Sequence, residues 1–200
     1  MISLLVILLD QALKFWVKLN FYLGEEVEIT SWFQLDFVQN PGMAFGWTIG
    51  SKLLLTLFRI VFCAFIIYAA VKLNKANLKR GFVVCVALVL AGALGNIIDC
   101  MFYGLIFSNP APPEIAVLFP AGGGYGSFLH GQVVDMLHFP LFSFHWPEWM
   151  PFVGGDFFEF FSPVFNIADT AISVGIICLI LFYSKQLNTS AEYLFGKKES

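Results

Sequence analysis

Charge is scarce in this chain of 200 residues, in which only 12% are Asp, Glu, Lys or Arg, and none of the 59 positions from Gly104 to Ser162 is Lys or Arg. A surface that must be wetted all round needs about twice that charge. The shortage excludes an ordinary soluble domain, and with 11 basic against 14 acidic residues the chain also lacks the footprint of a nucleic-acid-binding protein. Cysteine is sparse as well: Cys63, Cys85 and Cys178 lie inside apolar runs, Cys100 stands apart, and no CxxC occurs. That pattern excludes a disulfide framework and makes the cysteines small hydrophobes. The three histidines, His130, His138 and His145, are spaced too widely for a compact zinc pattern, so no metal and no cofactor is expected.

What the chain has in abundance is apolar mass: 58% of residues are hydrophobic and the mean hydropathy is +0.79. An integral membrane protein of one domain, residues 1–200, follows, because the chain holds several segments near the roughly 20 residues needed to cross the hydrocarbon. Spans are expected at about 2–18, 52–72, 82–103 and 163–184, separated by outer-face segments 20–50 and 104–162. The fold class is therefore all-α with four transmembrane helices, and the long outer segment leaves room for short strands or interfacial helices. The opening stretch lacks both a basic start and a small-residue cleavage site, so a retained first helix is expected rather than a removable signal peptide.

Basic residues orient the chain. Lys72, Lys75, Lys79 and Arg80 crowd the short connection between the second and third spans, which places that loop in the cytoplasm. Both termini are then cytoplasmic, and the acidic 20–50 segment and the cation-free 104–162 segment face outward. On this topology the costly polar residues gather near the outer face. Asp10 and Lys14 lie in the outer half of the first helix, Asn96 and Asp99 close the third, and Asn166 and Asp169 open the fourth. Asp169 is expected about 10 Å below the start of its helix, counted from Pro163 at 1.5 Å per residue. Carboxylates at membrane depth are functional candidates by default, and Asp135, in Gly131-Gln-Val-Val-Asp135, must reach the same region from the outer segment.

The chain resembles the lipoprotein signal peptidases, also called signal peptidase II, in five blocks that fall in the family's order. These are Asp10-Gln-Ala-Leu-Lys14, Asn40-Pro-Gly-Met-Ala-Phe-Gly46, Ala91-Gly-Ala-Leu-Gly-Asn96-Ile-Ile-Asp99, Gly131-Gln-Val-Val-Asp135 and Phe165-Asn-Ile-Ala-Asp169. The resemblance implies an aspartic endopeptidase of the bacterial inner membrane that cuts diacylglyceryl-modified prolipoproteins before the lipidated cysteine. It is expected to act as a monomer, with membrane lipid and those precursors as its partners. Asp135 and Asp169 are its catalytic pair by motif match, with Asn40, Gly42, Asn96, Asp99, Gly131 and Asn166 supporting the substrate site. Asn166, three positions before Asp169, is expected to share a helix face with it. Asp10 and Lys14, at i and i+4, are expected to form a structural ion pair.

Two features depart from the family pattern. Cys100 stands where an arginine ordinarily follows the aspartate, and the 104–162 segment is long. With its Phe-rich runs and the turns around His145 to Trp149, that segment is expected to lie on the membrane as a cover over the aspartates. The rival reading, a transporter with Asp10, Asp99 and Asp169 as a proton relay, needs acidic residues spread across the bilayer, whereas the inner halves of the spans are apolar. A non-catalytic chaperone of lipidated segments would tolerate Asp135→Asn and Asp169→Asn; a peptidase would not.

Overall fold

The computed structural model describes residues 1–40, 52–73 and 78–196. Three of its helices are long and apolar enough to cross a membrane: α2 (Lys52–Lys72), α3 (Arg80–Ile98, with its continuation to Ile106) and α5 (Ile167–Phe195). The first helix, α1 (Ile2–Asn20), has the same length as α3 but carries Asp10, Lys14 and Lys18, all of them buried. α3 packs on α5 and on α1, and α2 leans on α3. Glycine makes the α3–α5 contact close: a Cβ at Gly92 would run into the Ala168 carbonyl oxygen. Beyond Ile98 the helix widens into a π-helical turn (Asp99–Tyr103) and ends in α4 (Gly104–Ile106). α5 is kinked at Tyr183, whose ring packs on Phe82 at a centroid distance of 6.2 Å.

The expectation of an all-α chain needs correction, because the segments outside the helices fold into two antiparallel sheets. The larger sheet has the order β1-β2-β3, formed by β1 (Glu26–Thr30), β2 (Phe33–Asn40) and β3 (Val133–His138). Val38 stands opposite Asp135 and Asn40 opposite Val133, with a bulge in β2 between Leu35 and Val38. Such bulges bend a strand and re-aim its neighbours, and this one lies directly across from Met136. Phe37, Val134 and Met136 seat the sheet on Val17, Phe21, Tyr103 and Phe107, a core that fastens it to the end of α1. Inside that core the Lys18 ammonium lies 5.3 to 5.6 Å from the ring centres of Phe37, Phe107 and Tyr125.

The second sheet is a hairpin of β4 (Phe142–His145) and β5 (Phe157–Phe160), so the 104–162 segment is an ordered fold with strands of its own. Its register pairs Phe142 with Phe160 and Phe144 with Phe158, which puts four phenylalanines on one face. A contact between His138 Nε2 and Glu159 Oε1, at 3.0 Å, ties the hairpin to β3.

Candidate active site

A lysine lies at the centre of the helical bundle. Lys14 is 0% exposed, and its ammonium reaches Asp10 Oδ2 at 2.9 Å, Asp99 Oδ2 at 2.8 Å and Asn96 Oδ1 at 2.9 Å. Three N–H donors thus meet three acceptors, which is the condition for burying an ammonium at all. The expected Asp10–Lys14 pair is present, and Asp99 is its third member. Gln11 ties the same group together, its Nε2 donating to Asp99 Oδ1 at 2.8 Å and to Gly95 O at 3.2 Å, while Tyr103 donates to its Oε1 at 3.1 Å. The other oxygen of Asp10 accepts the Ala168 N–H at 2.9 Å, so a carboxylate of α1 satisfies an orphan donor in the first turn of α5. Gly95 allows this approach, since a Cβ there would lie 2.8 Å from Asp10 Oδ2.

Asp135 and Asp169 are linked through Asn166 and Asn96 beside this cluster. β3 is buried along nearly its whole length and bonds to Phe165 on both sides of Leu137: Met136 and Leu137 donate to the Phe165 carbonyl, and Phe165 donates to that of Leu137. The residue that follows, Asn166, is therefore delivered to Asp135. Its Nδ2 donates to Asp135 Oδ1 at 2.6 Å, and its Oδ1 accepts the Asp169 N–H at 2.8 Å as the N-cap of α5. Asn96 closes the ring from α3. Its Nδ2 donates to Asp169 Oδ1 at 2.8 Å, and its Oδ1 accepts from Lys14 and, at 3.2 Å, from Asn166. Two asparagines with fixed amide orientations thus join two carboxylates to a buried cation.

The two carboxyl groups differ in setting. Asp135 is 3% exposed, and burial, followed by the charge of Asp169, pushes its pKa up to about 7 against the pull of Lys14 and Asn166. Asp169 is only half-buried and open to approach. Such a pair can share one proton near neutral pH, with one group accepting a proton and the other donating one.

The remaining expected site residues take other positions. Asn166 lies in extended backbone, so it reaches Asp169 as a cap and not along a helix face. Asp169 sits in the first turn of α5, not about 10 Å inside the helix, because α5 begins at Ile167 rather than Pro163. Asp99 is 0% exposed and engaged with Lys14, Gln11 and the Val134 N–H, which removes it from direct contact with a substrate. Gly131 packs on the π-helical turn, donating to Cys100 O at 2.8 Å, where a Cβ would strike the Asp99 carbonyl oxygen. Asn40 ends β2 opposite Val133, and Gly42 and Ala44 lie outside the described residues. The sequence reading missed Gln11 and Arg59. Gln11 was legible only as a polar residue beside Asp10. Arg59, a lone charge within the second span, reaches Cys100 Sγ with its Nη1 at 3.5 Å.

A family model described as signal peptidase (SPase) II matches residues 2–185. The chain is 50% identical over 195 residues to a lipoprotein signal peptidase of Porphyromonas gingivalis, covering 97% of this chain and 84% of that protein. A lipoprotein signal peptidase of Amoebophilus asiaticus is 39% identical over 187 residues, covering 90% of this chain and 75% of the other. Among solved structures, one titled "Bacterial membrane enzyme structure by the in meso method at 2.3 A resolution" superposes with a TM-score of 0.63 and 22% identity. That match covers 100% of this chain and 91% of the other. At that identity the likeness concerns the fold.

Proposed function

The chain belongs to the signal peptidase II family of lipoprotein-processing enzymes, and on that premise we propose that it cleaves diacylglyceryl-modified prolipoproteins before the lipidated cysteine, with Asp135 and Asp169 activating water. The observation that carries this reading is the ring of hydrogen bonds through Asn96 and Asn166, which holds one buried and one accessible carboxyl group side by side.

Asp135, lifted to about 7, holds the shared proton, and Asp169 carries the charge. The Asp169 carboxylate takes a proton from a water whose oxygen attacks the scissile carbonyl carbon. Protonated Asp135 meanwhile hydrogen-bonds the carbonyl oxygen as negative charge develops there. Collapse of the tetrahedral intermediate breaks the C–N bond, and the proton gained by Asp169 passes to the leaving amine. Asn166 and Asn96 act by orientation, since each fixes one carboxylate while Lys14 fixes Asn96. No covalent intermediate is required.

Lys72, Lys79 and Arg80 at the α2–α3 connection support a cytoplasmic position for that loop. On that topology α1 is the fourth span, with Asp10 and Lys14 paired within the bundle and Lys18 among aromatic rings, and the aspartates work at the outer face of the inner membrane. Purified full-length protein incubated with a diacylglyceryl precursor peptide should release the signal peptide, while Asp135→Asn and Asp169→Asn should each abolish cleavage and still insert and fold. Cleavage retained by either variant would overturn the mechanism.

A further inference from the structure

Arg59 is the only charged residue between Leu53 and Val71, and it lies seven residues, about 10 Å, inside α2 from its start. It flanks the stripe of α2 turned into the protein: Thr56, one turn before it, is 1% exposed and Cys63, one turn after it, 4%, whereas Phe58 and Val61 are 66% and 67% exposed. Among the described residues no carboxylate pairs with it, and its partner is the thiol of Cys100, a weak acceptor. A guanidinium left with so poor a partner in an apolar span marks a binding position.

A cavity begins one turn further along α2. An apolar cavity of about 590 Å³ opens between α2, α3 and α5, lined among others by Phe62, Phe65, Leu73, Phe82, Leu179 and Leu194. Phe62 is one turn beyond Arg59, so Arg59 lies about 5 Å along α2 from the lining of the cavity, on the side of Cys100 and Asp99, toward which its guanidinium is turned. From Phe62 to Leu73 the cavity follows α2 for about 16 Å. If the proposed function holds, the apolar part of a signal peptide runs from the scissile bond toward the inner face, the direction in which this cavity extends. A helix lying there has four unpaired carbonyls at its C-terminal end and the negative pole of its dipole beside them, at a depth without water to satisfy either. A guanidinium supplies donors and charge of the required sign.

We propose that Arg59 is a substrate-positioning residue that caps the C-terminal carbonyls of the signal-peptide helix seated in the cavity between α2, α3 and α5. The partner is peptide carbonyl oxygen. The ester carbonyls of the diacylglyceryl group have the same chemistry, and the test separates the two.

Full-length wild type, Arg59→Met and Arg59→Lys would be compared on a diacylglyceryl precursor peptide and on the same peptide carrying a dialkyl ether lipid without ester carbonyls. Removing a charged hydrogen bond should raise KM about 10- to 100-fold in Arg59→Met. Arg59→Lys should fall between wild type and Met, kcat should stay within about threefold, and the pattern should be the same on the ether substrate. An unchanged KM in Arg59→Met overturns the proposal. So does an equal loss in Met and Lys with a lowered thermal midpoint, which is the mark of packing, or an effect confined to the ester substrate, which assigns Arg59 to the lipid. Failure of the wild type to cut either peptide would instead overturn the proposed function.

Discussion

Replacing Asp135 by asparagine should inactivate the protein and at the same time stabilise it, by an amount that depends on pH. The carboxyl group titrates at about 7 in the fold against 3.8 for the free group, and at 1.36 kcal/mol per pKa unit that difference is about 4 kcal/mol. The sign follows from the raised value. Below about pH 4 both folded and unfolded chains hold the proton and the site contributes its full stability. As pH rises from 4 to 7 the unfolded chain ionises freely while the folded chain cannot, and the contribution is lost. Asparagine has no proton to lose, and its Oδ1 can still accept from Asn166. Thermal midpoints of the two proteins in detergent should therefore coincide near pH 4 and diverge above it. Near pH 8 the variant should melt about 8 to 16 °C higher, at 2 to 4 °C per kcal/mol for a chain of this size. Asp36, whose pKa burial also raises, titrates alike in both proteins and cancels in the difference. A gap that does not widen between pH 4 and pH 8 would refute the assignment of the shared proton to Asp135.

Asp169→Asn should lower the upper edge of that window, because the Asp169 charge is one of the causes that lift Asp135; the pH at which wild type and variant stability diverge reports it. Lys14→Met leaves Asp10 and Asp99 buried without their cation and should cost about 3 to 5 kcal/mol, part of which Asp10→Asn in the same chain should restore in a thermal melt. Asn166→Ala removes a helix cap and should cost about 1 kcal/mol of stability, yet cleavage should fall much further, because both aspartates lose an orienting partner. Cys100→Arg sets a second guanidinium against Arg59 and should lower the thermal midpoint, whereas the same change in Arg59→Met should be tolerated.

The sequence made the membrane class, both aspartates, both asparagines and the Asp10–Lys14 spacing legible, since hydropathy, motif and the i,i+4 rule are all local signals. Asp99 as the second partner of Lys14 was not legible, because the contact spans 85 residues and depends on how α1 crosses α3. β3 escaped for another reason. Val133 to Met136 is buried on both faces, so the alternation that announces a strand is missing and the run reads as a piece of outer loop. The start of α5 was misread because Pro163 suits the first turn of a helix, while the chain uses Asn166, whose side chain does the capping.

The buried ion cluster also constrains how the molecule is made. α1 leaves the ribosome before α3 and α5, carrying one acid and two bases that hydrocarbon disfavours, while Asn96, Asp99 and Ala168, which receive Asp10 and Lys14, follow about 80 to 160 residues later. A nascent first helix therefore has no complete partner set in the lipid until α3 arrives. On the proposed topology its settlement in the bilayer is a late event of biogenesis, completed only when the start of α5, which carries Asp169, closes over Asp10. Assembly of the bundle and completion of the aspartate pair are one step.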